Sequence, residues 1–148
     1  MIVESAIEID APPATVWAVF SDVERWPEWT ESVDSVTRLD GPGLAIGRRF
    51  EIKQPRFPKV VWTVTDLEPG VSWSWLAHGP GASTVAVHEL VETASGGTIV
   101  RQRIEQRGVI GTLFGGLTKR TTRRYLALEA QGLKRRSEQQ LVTDAASR

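Results

Sequence analysis

GTLFGGLTKRTTRRYLALEAQGL, residues 111–133, carries a helical pattern long enough to organise a fold. At ~100° per residue, Ile110, Leu113, Phe114, Leu117, Thr121, Tyr125 and Leu128 share one face. Lys119, Arg123 and Glu129 fall away from it. A helix over these residues is about 34 Å long at ~1.5 Å per residue. A strand of about ten residues spans about 33 Å at ~3.3 Å per residue. One helix can therefore lie across a whole sheet of such strands. Beyond Leu133 the chain turns polar, and KRRSEQQLVTDAASR, residues 134–148, is expected to fray.

The residues before the helix supply the sheet. Residues 2–9 alternate, with Val3, Ser5, Ile7 and Ile9 on one side and Glu4 and Glu8 on the other, which predicts a half-buried strand. Asp10-Ala11-Pro12-Pro13 stops it. Proline is tolerated in a first helical turn, where its missing N–H has no partner anyway. Val16, Trp17, Val19 and Phe20 then give a short helix its apolar stripe. Ser21 and Glu24 have the spacing of a capping box for a second short helix, which Pro27 should end near Arg25. From there the period is two. Strands are expected over 33–39, 48–54, 59–68, 71–78, 83–93 and 98–107, separated by glycine and proline turns, as an antiparallel meander.

Composition narrows the function classes. Lys plus Arg and Asp plus Glu number 18 each, so no global field gathers nucleic acid. The absence of cysteine removes disulfides and thiolate chemistry and suits a reducing cytoplasm. The acidic start MIVESAIEID has no signal-peptide character, and no run approaches the ~18 apolar residues of a membrane span. The expectation is a cytoplasmic protein with one domain over 1–133, a polar tail over 134–148, no cofactor, no stable membrane insertion, and a monomeric or homodimeric state.

Strand, two short helices, six strands and a long helix make an α+β chain with its helices on one face of a seven-stranded antiparallel sheet. This order, with DAPPATVWAVFSDVERWPEWTESV at 10–33, resembles the helix-grip superfamily of START domains and plant pathogenesis-related allergens. LEPG at 67–70, SGGT at 95–98 and the helix GTLFGGLTKRTTRRYLALEAQGLKRR at 111–136 resemble its polyketide cyclase/dehydrase branch. The resemblance implies a long C-terminal helix across the concave face of the sheet, and an apolar cavity between them. Trp26 stands where aromatase/cyclase relatives place a pocket tryptophan. Their pocket tyrosine and arginine fall nearest Val33 and Asp66 here, so the pattern is broken.

Six tryptophans need an apolar environment. Each removes up to ~200 Å² from water, roughly 5 kcal/mol at ~25 cal/mol per Å². Trp73 and Trp75 point to one side of a strand, and Trp62 shares its side with Val60 and Val64 on the strand before. These rings either interdigitate in a solid core or, as the resemblance implies, line a cavity. The expected lining is Trp26, Trp62, Trp73, Trp75, Phe114, Leu117 and Tyr125. Trp29 is expected to staple the short helices to the sheet.

Few residues offer chemistry. Metal binding wants three or four ligands, and His88-Glu89 point to opposite faces of a strand, so no metal site is expected. His88 alternates with Ala86 and Leu90. It is either a hydrogen-bonded core residue or a general base with a pKa near neutrality. Arg124, about 40° from the centre of the apolar face, either snorkels with its stem packed or fixes an acidic ligand group at the cavity rim. Lys119, Arg120, Arg123, Arg124 and Lys134 to Arg136 form a basic stripe. P-loop and nucleophile-elbow spacings are absent. Three functions remain: a carrier or sensor of a lipophilic, aromatic or polyketide-like molecule; a polyketide cyclase, aromatase or dehydratase using His88 or Arg124; and an interaction module built on the basic helix.

Overall fold

The structure, a computed structural model, describes residues 1–108 and 115–148, and the side chains of all of these except 115–117. Strand β1 (Ile2–Ile9) is followed by helix α1 (Pro13–Phe20) and a 3-10 helix (Val23–Glu28). Strands β2 (Ser35–Arg38), β3 (Arg49–Lys53), β4 (Val60–Glu68), β5 (Ser72–Gly79), β6 (Ala82–Glu92) and β7 (Thr98–Gly108) come next, and helix α2 (Gly115–Ala146) closes the chain. The seven strands form one antiparallel sheet in the order β1-β7-β6-β5-β4-β3-β2. Consecutive strands are neighbours from β2 to β7, as short turns between alternating segments require. Only β1 crosses over, to pair with β7.

The register puts one set of residues on the concave side. Trp62 faces Ala77 and Val64 faces Trp75 across β4 and β5. Trp73 faces His88, Trp75 faces Ala86, and His88 in turn faces Gln102. Directly opposed residues share a face, so a continuous row runs from Trp62 through Trp75 and His88 to Gln102. A register shift between Val64 and Asp66 turns Asp66 out to solvent.

The short helices plug one end of this trough. Pro12, in extended backbone, caps α1, which buries Val16 and Phe20. The expected capping box does not form. Ser21 donates instead to the carbonyl oxygen of Trp17 at 2.7 Å and closes α1, and Asp22 opens the next turn without a side-chain cap. Pro27 does not end the second helix near Arg25, because that segment is 3-10 and runs to Glu28. Its turns close from Arg25 to Asp22 and from Trp29 to Trp26, and neither needs an N–H from residue 27. Phe20, Trp26, Trp29 and Trp73 then pack as one aromatic cluster, with Phe20 stacked on Trp26 at 5.5 Å and edge-on to Trp73 at 4.7 Å.

Helix α2 departs from expectation in length and in rotation. It does not fray at Lys134 but continues through 32 residues, roughly 48 Å at ~1.5 Å per residue. Polar contacts hold its far end. Lys134 donates to the carbonyl oxygen of Glu8 at 3.1 Å, Glu138 accepts the amide of Asp10 at 3.0 Å, and Arg136 pairs with Glu28 at 2.8 Å. Ser137 is fully buried beneath them. The face turned to the sheet carries Tyr125, Leu126, Glu129 and Leu133, all buried. It lies about 110° around the helix from the predicted stripe at ~100° per residue. Glu129, expected to point away, is therefore inside. Arg124, expected near the centre, is on the far side and exposed.

Candidate functional site

Between the concave row and α2 the side chains meet at Gln102 and Glu129 but do not fill the space beside them. A cavity of about 230 Å³ remains. Its outer end is walled by Gln54, Phe57 and Pro58 from the β3–β4 connection and by His78 and Gly79 from the β5–β6 hairpin. Pro58, His78 and Gly79 are exposed, so this end reaches solvent. The middle is apolar, with Trp62 and Trp75 as the broad surfaces and Ile52, Ala86, Ile104 and Leu126 between them. The inner end, under the 3-10 helix, is formed by Trp26, His88, Gln102 and Glu129, each no more than 6 % exposed.

Four of the seven predicted lining residues take part: Trp26, Trp62, Trp75 and Tyr125. Trp62 and Trp75 lie 5.5 Å apart and Trp26 lies 5.5 Å from Trp75, so three indoles form one surface. The indole N–H of Trp26 donates to the carbonyl oxygen of Phe20 at 2.8 Å, which orients the ring. Tyr125 accepts the backbone N–H of Arg56 at 3.1 Å and meets Phe57 edge-on at 5.7 Å, tying α2 to the β3–β4 connection. Trp73 is a correction. It sits one layer behind the cavity, 1 % exposed, stacked on His88 at 4.1 Å and edge-on to Trp17 at 5.7 Å. The cause is its place at the closed end of the trough, where α1 packs over it. Phe114 and the side chain of Leu117 lie outside the described residues. Trp29 touches Phe20 and Trp26 on one side and Gly132 of α2 on the other, so it holds the short helices to the long one.

The two candidates for chemistry part company. Arg124 is exposed and does not reach the cavity wall, and no lysine or arginine side chain lines it among the described residues. His88 does line it, but not as a base near neutrality. Burial pushes its pKa down to about 3. Its Nδ1 lies 3.3 Å from the carbonyl oxygen of Trp73. A carbonyl can only accept, so Nδ1 carries the ring proton and Nε2 keeps its lone pair.

Gln102 and Glu129 were not singled out in the sequence. Gln102 Nε2 donates to Glu129 Oε1 at 2.6 Å, from β7 to α2, with both side chains buried. Desolvation raises the Glu129 pKa to about 8, against the smaller opposing pull of that hydrogen bond. At neutral pH the carboxyl holds its proton. Glu129 Oε2 has no protein partner among the described residues. The cavity thus ends in a neutral acid, an amide and a neutral imidazole. Among the described residues no three His, Asp or Glu side chains gather in a way that could hold a metal ion. No helix among the described residues is long and apolar enough to cross a membrane.

The fold recurs in proteins of little sequence likeness. Hypothetical protein jhp0584 from Helicobacter pylori is 13% identical, with 93% of this chain and 88% of that one covered and a TM-score of 0.82. A START superfamily protein from Mycobacterium smegmatis is 17% identical over 93% and 97% of the two chains, with a TM-score of 0.73. The protein Ara h 8.0201 is 14% identical over 97% and 98%, with a TM-score of 0.69. At such identities the likeness is one of fold: a seven-stranded antiparallel sheet holding a long C-terminal helix, as in START and plant-allergen proteins. No curated protein matches the sequence. The family model described as polyketide cyclase / dehydrase and lipid transport matches residues 1–138. The chain belongs to that family.

Proposed function

We propose that the protein is a carrier or sensor that takes a small lipophilic molecule, aromatic or polyketide-like, into the cavity between sheet and α2. The supporting observation is the cavity itself: about 230 Å³, walled by Trp26, Trp62 and Trp75 and closed at its inner end by His88, Gln102 and Glu129. An apolar cavity of ~150 Å³ takes up benzene, so one or two fused rings suit this one. Indole faces give such rings area and stacking geometry. The family's description, which names lipid transport, agrees with a hydrophobic cargo. A reducing cytoplasm fits the cysteine-free sequence.

The test is to titrate the protein with naphthalene and follow tryptophan emission, alongside native mass spectrometry of freshly purified protein for a co-purified ligand. Saturable quenching is expected. Trp62→Ala should weaken binding about tenfold, the equivalent of ~1.4 kcal/mol for a lost stacking surface. Arg124→Ala should leave it unchanged. No saturable binding, or equal losses in both variants, would overturn the proposal.

A second reading, a cyclase or dehydratase, draws support from one observation. His88 and Glu129 are two titratable groups in one cavity, with opposite departures from their ordinary pKa values. Such a pair can divide acceptor and donor roles at a reacting carbonyl. Turnover of a poly-β-keto substrate, lost in both His88→Ala and Glu129→Gln, would favour it over carriage.

A further inference from the structure

We propose that Glu129, Gln102 and His88 form a recognition site for an uncharged ligand bearing a hydroxyl group on its ring system, and that the same three residues reject carboxylates. The inference rests on the cavity being a ligand site and names the chemistry its inner end selects.

The hydrogen-bonding inventory leads there. Gln102 already occupies Glu129 Oε1 as a donor at 2.6 Å. The carboxyl proton therefore belongs on Oε2, where it is a donor without an acceptor among the described residues. His88 commits Nδ1 to the Trp73 carbonyl at 3.3 Å, which leaves Nε2 as an acceptor without a donor among the described residues. Gln102 stands directly opposite His88 across β6 and β7, so the row His88–Gln102–Glu129 crosses the floor from sheet to helix. One donor and one acceptor on the same floor match a hydroxyl, which accepts from one and donates to the other. A ketone satisfies only the donor.

Anions are refused because no cation stands at the floor among the described residues. Among the described residues the other ionisable groups on the wall are Tyr125 on α2, His78 on the β5–β6 hairpin and the Met1 amino group. Tyr125 is engaged with Arg56, His78 is at the solvent end, and the Met1 amino group donates to the carbonyl oxygen of Gln106 at 2.9 Å. A carboxylate at the floor could accept one hydrogen bond, from Glu129, but its charge would be desolvated with no cation beside it and its second oxygen would face the His88 lone pair.

The experiment compares three probes with one ring system, naphthalene, 2-naphthalenemethanol and 2-naphthoate, by calorimetry or tryptophan quenching at pH 6.5. The alcohol should bind about tenfold more tightly than the hydrocarbon, as two net hydrogen bonds imply, and the naphthoate at least tenfold more weakly than the alcohol. Glu129→Leu should erase the preference for the alcohol while naphthalene still binds. Glu129→Gln keeps a donor and an acceptor at 129, so it should retain the preference and hold it to pH 9, where the native carboxyl has ionised and lost it. If naphthalene binds and the alcohol gains nothing, or Glu129→Leu leaves the preference intact, the recognition site is refuted while the cavity reading stands. If neither naphthalene nor the alcohol binds, both fall together.

Discussion

Glu129→Gln should stabilise the protein, and by more the higher the pH. The side chain keeps its shape, and the amide oxygen still accepts from Gln102, so the change removes only the capacity to ionise. Its size follows from linkage. The carboxyl titrates near 4.5 in the unfolded chain and at about 8 in the folded one. The folded state therefore holds a proton that the unfolded state releases. The associated stability is complete below pH 4.5 and is lost as pH rises through 8. Integrated between these values, the native protein forfeits under ~1 kcal/mol at pH 5 and about 4 kcal/mol at pH 8.

The gap between variant and native protein should accordingly widen by about 3 kcal/mol from pH 5 to pH 8. In melting temperature that is roughly 9 °C for a chain of this size. His88 has the opposite sign. Its pKa is held down at about 3, so its contribution is present above 6.5 and is lost as pH falls toward 3. That loss is common to both proteins and cancels in the difference. Urea unfolding followed by tryptophan emission at pH 5, 6.5 and 8 measures the gap directly. A gap constant across the three pH values would refute the claim that Glu129 is buried and protonated.

Two further substitutions test how α2 is seated. Gly132→Ala places a methyl group onto the carbonyl oxygen of Trp29, a backbone atom that cannot swing aside, so a loss of about 2 kcal/mol or more is expected in urea unfolding. A change under ~0.5 kcal/mol would mean that the helix has room to shift. Tyr125→Phe removes the acceptor of the Arg56 amide at a cost of about 1 kcal/mol, and hydrogen exchange at that amide should quicken about fivefold with little change at the sheet centre.

Much of this fold was legible because sheets write themselves plainly. Alternating apolar positions and glycine or proline turns fixed the seven strands to within one or two residues, and the match of helix and strand lengths argued for one helix across them. What escaped were places where polar atoms do the packing. Lys134, Ser137 and Glu138 look like the start of a frayed tail, yet they bond to the end of β1 or lie beneath it. Periodicity scores a side chain by its own polarity and cannot see a partner about 130 residues away, such as Glu8 or Asp10. The tryptophans were half legible for a related reason. Spacing by two said that Trp73 and Trp75 share a side, but only α1 and the 3-10 helix, arriving from elsewhere in the chain, decide that Trp73 is sealed and Trp75 is open to the cavity.

Glu129 is the sharpest instance. Weighing it as a charge sends it to solvent and rotates the apparent apolar face by about 110°. A local signal pointed the other way: Glu129 stands four residues after Tyr125 and four before Leu133, on the row that both bury. A protonated carboxyl in such a row behaves as a neutral polar group. Even so it costs the fold about 3 kcal/mol at neutral pH, and its partner Gln102 adds a second polar side chain to a floor that two leucines could fill. Filling it would raise stability and shorten the cavity. Stability therefore does not account for the pair, whereas a hydroxyl at the inner end of a ring-sized ligand would occupy the donor that Gln102 leaves over. The same comparison explains why Arg124 belongs outside: a guanidinium on this floor would ionise Glu129 and turn a site matched to neutral molecules into one closed by its own ion pair.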